Sequence, residues 1–167
     1  MMKNLVLSCL VSASLLVVLR AENVILISID TLRADRLSCF GYQFNRTPNI
    51  DRWARDGILF EHASSEYPLT LPAHATLLTG TYPFRHGVRE NIGFALADGF
   101  TTLAEVFQEN GYATGAFLGS YVLASKFGVG QGFGTFDEDF GSPGQGRVRG
   151  TAILRPAGQV TGKFLDW

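Results

Sequence analysis

At 167 residues the chain has room for one ordinary domain or for part of a larger one, and a 46% hydrophobic content supplies a core, which excludes a disordered tail. Its 14 Lys and Arg against 15 Asp and Glu leave a net charge of -1, without the basic excess that adhesion to nucleic acid or to an anionic membrane requires. The 19 glycines and 13 phenylalanines are spread through alternating apolar and turn-rich stretches, a pattern of tight loops between buried elements.

The first segment reads as an export signal. Lys3 precedes an apolar run from Leu5 to Leu19 that ends at Arg20-Ala21-Glu22, so residues 1–21 are expected to be a cleaved signal peptide or an uncleaved N-terminal anchor. Either reading places the body in the periplasm, outside the cell or on a membrane through that anchor alone. Cys9 lies in this leader, and Cys39 is then the single thiol of the body, which excludes an intrachain disulfide or a cysteine-built zinc site and leaves Cys39 a packing role.

Asn23 to Asp30 is β-branched and apolar until its end, which predicts a buried strand with Asp30 at its carboxyl end. Thr47 to Gly57 predicts a helix with Thr47 as N-cap, Pro48 at the first helical position, Ile50, Trp53 and Ala54 on one face and Gly57 as the stop. Ile58 to Ala63 returns to strand character, and a helix is expected from Pro72 to about Gly80. Thr102 to Asn110 predicts a further helix, with Leu103, Val106 and Phe107 spaced for one face and Gly111 closing it before a strand from Tyr112 to Leu118. This order is that of an α/β fold with a largely parallel sheet. Gly141 to Gly150 reads as a loop and Gly158 to Trp167 as the opening turns of another helix, so that a domain beginning at residue 22 is expected to continue beyond this chain. The expected divisions are therefore 1–21, leader; 22–140, N-terminal part of a catalytic domain; and 141–167, loop and start of a helix.

Ligands of open α/β sheets collect beyond the carboxyl ends of strands, where Asp30 is expected. Thr70 stands just before a helix whose free N–H groups favour an anion. A threonine hydroxyl is a weak nucleophile at its own pKa, so it needs a metal or a base, and Asp30 is a natural first ligand.

Val24-Ile25-Leu26-Ile27-Ser28-Ile29-Asp30-Thr31-Leu32-Arg33-Ala34-Asp35, followed by Thr47-Pro48-Asn49-Ile50-Asp51, resembles the opening of the sulfatase family within the alkaline phosphatase superfamily. Pro68 to Gly80 is similar to that family's nucleophile signature, with Thr70, Pro72 and His74 where sulfatases carry a formylglycine precursor, Pro and Arg. Threonine is not converted to formylglycine. At these places the chain more closely resembles nucleotide pyrophosphatase/phosphodiesterases, whose Thr, Pro, His, Thr-Gly, Tyr-Pro, His-Gly and Asn match Thr70, Pro72, His74, Thr79-Gly80, Tyr82-Pro83, His86-Gly87 and Asn91. The resemblance runs from Asn23 to about Phe140.

It implies an alkaline-phosphatase-like sandwich with a largely parallel central sheet, present here as its N-terminal part, and a divalent metal ion of zinc or calcium type held by Asp30 and Thr70. It further implies Thr70 as nucleophile, Asn91 on a non-bridging oxygen and Lys126 as a sulfate or phosphate contact. Thr31 stands where sulfatases have a second Asp, and Lys126-Phe127-Gly128 where they have Lys-Trp-His. His74 could orient Thr70, touch substrate or satisfy a buried carbonyl; Arg85, like Arg33 and Arg89, could meet an anion. His62 and His86 read as structural, and Phe133, Phe136 and Phe140 with Asp137, Glu138 and Asp139 as a loop with solvated carboxylates. The reading is a metal-dependent hydrolase of phosphate or sulfate esters, phosphate preferred on mechanism, acting on a small-molecule, glycan or lipid ester and on no nucleic acid. The alternatives are a phospho-group transferase and a non-catalytic binding module of the same family.

Overall fold

The computed structural model describes residues 22–141, 147–149 and 152–167. The predicted leader with Cys9 and most of the expected 141–150 loop lie outside the described residues. Helices α1 (Pro48–Asp56), α2 (Thr70–Thr79), the single turn α3 (Pro83–His86) and α4 (Leu103–Glu109) precede a strand β1 (Gly115–Phe117). Strands β2 (Thr135–Asp137), β3 (Arg147–Arg149) and β4 (Ala152–Leu154) follow, and α5 (Ala157–Asp166) ends the chain. β1 and β2 pair in parallel, Gly115 opposite Thr135, while β3 and β4 form an antiparallel pair. The α/β class with a parallel sheet is therefore observed.

Helix α4 begins as its sequence requires. Thr102 accepts a hydrogen bond from Glu105 N, and Glu105 in turn accepts from Thr102 N, so two orphan donors of the first turn are satisfied reciprocally. Only Ala104 of this helix is fully buried; Leu103 and Val106 stay partly exposed, and Phe107 packs edge-on against Tyr112 at 5.0 Å. Thr47 precedes α1 as expected, but its hydroxyl does not cap the helix. It donates to Asp51 at 2.9 Å and accepts from Ser38 N at 3.1 Å, tying the helix to the turn before it. Trp53, expected on one face with Ile50 and Ala54, is exposed.

Leu71 and Ala75 on α2, together with Val88, Leu96, Leu123, Phe127 and Val129, form the buried cluster. Each full aliphatic burial of this kind contributes about 1.5–3 kcal/mol. Thus α2 is anchored by one side while its opposite side is left for other contacts. Helix α5 covers β1 through Phe164 and Trp167, both in ring contact with Phe117.

Several expectations are corrected. Asn23 to Ile29 and Ile58 to Ala63 carry no strand, and Val24, Ile25 and Ile58 are 60%, 62% and 83% exposed. A strand is a hydrogen-bonded ladder, and among the described residues neither segment has a ladder partner, the turn bond from Leu32 N to Ile29 O being local. The strand expected over Tyr112 to Leu118 shortens to β1, with Thr114 O and Leu118 N bonding to Thr135 N and Asp137 O at its two ends. Arg147–Arg149 is strand rather than loop. Of the three carboxylates expected to be solvated, Asp137 is paired to Arg155 and Glu138 accepts from Ser125 N and Oγ at 2.6 and 2.8 Å, while Asp139 is exposed.

Candidate active site

Helix α2 starts two residues earlier than Pro72, with Thr70 as its first residue and Leu69 as N-cap. The early start is possible because Pro72 has no N–H to satisfy and Leu71 N donates to Asn91 Oδ1 at 2.9 Å. Asn91 therefore caps the helix from a distant loop. This also narrows the expected anion cradle: with Leu71 N occupied and Pro72 lacking a donor, Thr70 N–H is the amide of the first three positions that has no partner among the described residues.

Asp30 lies not at a strand end but in a turn closed by a bond from Leu32 N to Ile29 O at 3.3 Å, and Thr31 beside it adopts φ 58°. A β-branched residue in the left-handed region is strained. That turn brings Asp30 to α2, where Thr70 Oγ1 donates to both carboxylate oxygens, at 3.1 and 3.2 Å. His74, one turn along the helix, contacts the carbonyl of Thr70 through Nδ1 at 2.7 Å and Ser28 Oγ through Nε2 at 2.9 Å. A carbonyl only accepts, so Nδ1 carries a hydrogen, and in a neutral ring Nε2 is then the acceptor for the Ser28 hydroxyl.

Four of the residues singled out from the sequence, Asp30, Thr70, His74 and Asn91, thus share one end of α2. Asn91 has spent Oδ1 on Leu71, which leaves its Nδ2 hydrogens without a partner among the described residues. Lys126 and Arg85 make no hydrogen bond to this group. Lys126 donates to Tyr121 Oη at 2.6 Å and lies over the rings of Tyr121 and Phe127, at the edge of a cavity of about 440 Å³ that Ile92 and Gly93, next to Asn91, also line. Arg85 is exposed on α3. His86 is buried at 4% exposure between Thr76 and Val88, and burial lowers its pKa from 6.5, as a structural imidazole requires. His62 is exposed. Ser28 is the residue the sequence reading passed over; its signal was position, two before Asp30 as His74 is four after Thr70.

Asp30 and Thr70 offer a carboxylate and a hydroxyl, oxygen donors of the kind hard divalent cations take. The pair fits as part of a coordination shell, and among the described residues no cluster of three or more His, Cys, Asp or Glu completes it.

A family model described as Sulfatase matches residues 22–143. The chain is 36% identical over 103 residues to human arylsulfatase D, covering 56% of this chain and 17% of that protein. It is 38% identical over 100 residues to an N-acetylgalactosamine-6-O-sulfatase of Bacteroides thetaiotaomicron, covering 56% and 19%. The solved structure of a 2-O GAG sulfatase superposes with a TM-score of 0.52 at 27% identity, covering 68% of this chain and 25% of that one. The chain spans about a fifth of the length of these two curated relatives.

Proposed function

Because the chain belongs to the sulfatase family, we propose that the intact protein is an exported hydrolase of small-molecule or glycan esters of tetrahedral oxyanions. Thr70 is its nucleophile, and phosphate esters are preferred to sulfate. The observation that carries this reading is the contact of Thr70 Oγ1 with both oxygens of Asp30, at 3.1 and 3.2 Å. A hydroxyl placed so has an acceptor for its proton at the moment it attacks. Oγ1 gives its proton to Asp30 and bonds to phosphorus, the bond from phosphorus to the ester oxygen breaks, and the alkoxide departs with the electron pair and takes up a proton from Asp30 or solvent to become the alcohol. Water then attacks the Thr70 phosphoester, releasing phosphate and restoring the hydroxyl.

Asn91 Nδ2 and Thr70 N–H are the donors for a non-bridging oxygen, preorganised because Asn91 is locked by its bond to Leu71 N. Asp30 and Thr70 are the residues that would hold a divalent cation, which in such sites lowers the energy of an alkoxide and of a charged oxyanion. Phosphorus is preferred because an unmodified threonine supplies no formylglycine hydrate. The sulfate reading is favoured by the names of the relatives, all sulfatases.

The test is turnover of paired aryl phosphate and aryl sulfate esters by the intact protein and by Thr70→Ala, Thr70→Ser and Thr70→Cys. Thr70→Ala should lose several orders of magnitude in kcat, up to about 10⁶ by comparison with other covalent hydrolases. Thr70→Ser should keep a measurable part, and Thr70→Cys should gain no sulfatase activity. Undiminished turnover by Thr70→Ala overturns the nucleophile, and a wild-type preference for sulfate reverses the choice of phosphorus.

A further inference from the structure

Beyond the local turn bond from Leu32 N to Ile29 O, segment 22–30 makes no backbone hydrogen bond to the remainder of the described chain, so something other than a sheet ladder must set where Asp30 stands. Two side-chain contacts do so: Asp30 with Thr70, and Ser28 with His74. Their spacings match. A chain stretched at the strand rise covers about 6.6 Å in two residues. A helix covers about 6 Å in four. Ser28 and Asp30 can therefore meet His74 and Thr70 as two parallel rungs, whereas a slip of one residue would present Ile27 and Ile29 to the helix.

We propose that Ser28 and His74 form a positioning pair that sets the register of Asp30 against Thr70, a role that rests on Thr70 being the nucleophile. His74 suits this task because both ring nitrogens are committed. Nδ1–H is fixed on the carbonyl of its own helix at 2.7 Å, which orients the ring, and Nε2 is left as a single aimed acceptor for the Ser28 hydroxyl at 2.9 Å. His74 is thereby occupied as a strut and does not take the Thr70 proton, which Asp30 faces instead. Two rungs determine both distance and tilt. One rung alone would let the segment pivot about the Asp30 contact, and misplacing a reacting group by about 1 Å costs about 10²-fold in rate.

The experiment compares Ser28→Ala, Ser28→Thr, His74→Ala and the Ser28→Ala/His74→Ala double variant with wild type and Thr70→Ala, in the intact protein, on 4-nitrophenyl phosphate and sulfate. Thermal denaturation establishes that each is folded, and ¹⁵N NMR of the ring reads the His74 tautomer without reference to activity. Ser28→Ala should lower kcat by about 10- to 10²-fold with KM unchanged, within the range expected for a misplaced reacting group. Ser28→Thr should restore most of the loss, and the double variant should be no slower than His74→Ala, since each change removes the same rung. The ring should be the Nδ1–H tautomer, with the Nε2 resonance moving in Ser28→Ala. Unchanged kcat in Ser28→Ala while Thr70→Ala is inactive, additive losses in the double variant, or an Nε2–H tautomer each overturn the pair. Activity retained in Thr70→Ala instead overturns the nucleophile, and the tautomer and its response to Ser28→Ala then decide whether the strut exists.

Discussion

In the proposed mechanism Asn91 performs two tasks with one amide, and substitution separates them. Asn91→Asp keeps an acceptor for Leu71 N but replaces the Nδ2 donor with a charge that repels an oxyanion. The expected outcome is an unchanged melting temperature with kcat lowered by about 10²–10³, the cost of removing one oxyanion donor; steady-state kinetics beside thermal denaturation check it. His86 predicts a different dependence. Its pKa is lowered by burial from 6.5, and Val88 N donates to its Nδ1, which a second proton would forbid. Above pH 6.5 both folded and unfolded forms are neutral and its contribution to stability is complete. Below it the unfolded chain binds the proton more readily, so stability falls as pH falls. Urea midpoints measured from pH 7.5 to 5 should decline in wild type, and the decline should flatten in His86→Gln.

Elements here are held at a few unforgiving points. Gly128 has φ 77°, and a Cβ there would run into the backbone of Leu96, whose N–H donates to Phe127 O at 2.9 Å. Gly128→Ala should therefore destabilise by about 1–3 kcal/mol through overpacking, read as a lower urea midpoint at constant slope. Thr102, 1% exposed, caps α4 and also donates to Gln131 O at 2.9 Å. Thr102→Ala should cost about 1–2 kcal/mol, the upper part of the capping range, because the partly buried carbonyl of Gln131 also loses its donor. The local signals for α1 and α4 were readable to within a residue, since Pro, Thr, Glu and Gly act through the backbone within one turn. The start of α2 was misplaced because its cap, Asn91, arrives from another part of the chain.

For the whole molecule, the described residues bring one carboxylate and one hydroxyl to the candidate site, whereas divalent cations take four to eight ligands. The 167-residue chain alone is expected to hydrolyse aryl phosphate or sulfate esters little or not at all, with or without added zinc or calcium. Robust metal-dependent turnover abolished by Asp30→Ala would show that these residues suffice. The family, the α/β class and the candidates Asp30, Thr70, His74 and Asn91 were legible in the sequence because they rest on residue type and spacing along the chain. Hydrophobic patterning likewise marked Asn23 to Asp30 and Ile58 to Ala63 as strand-like, but a strand needs a partner, and pairing is a property of the assembled sheet rather than of the segment. Only the tertiary structure decided that Asp30 meets Thr70, that Asn91 caps α2 and that Ser28 engages His74. Each of these contacts joins residues 20 to 46 positions apart, and at such separations side-chain chemistry specifies what a group can bind while the fold determines which group it reaches.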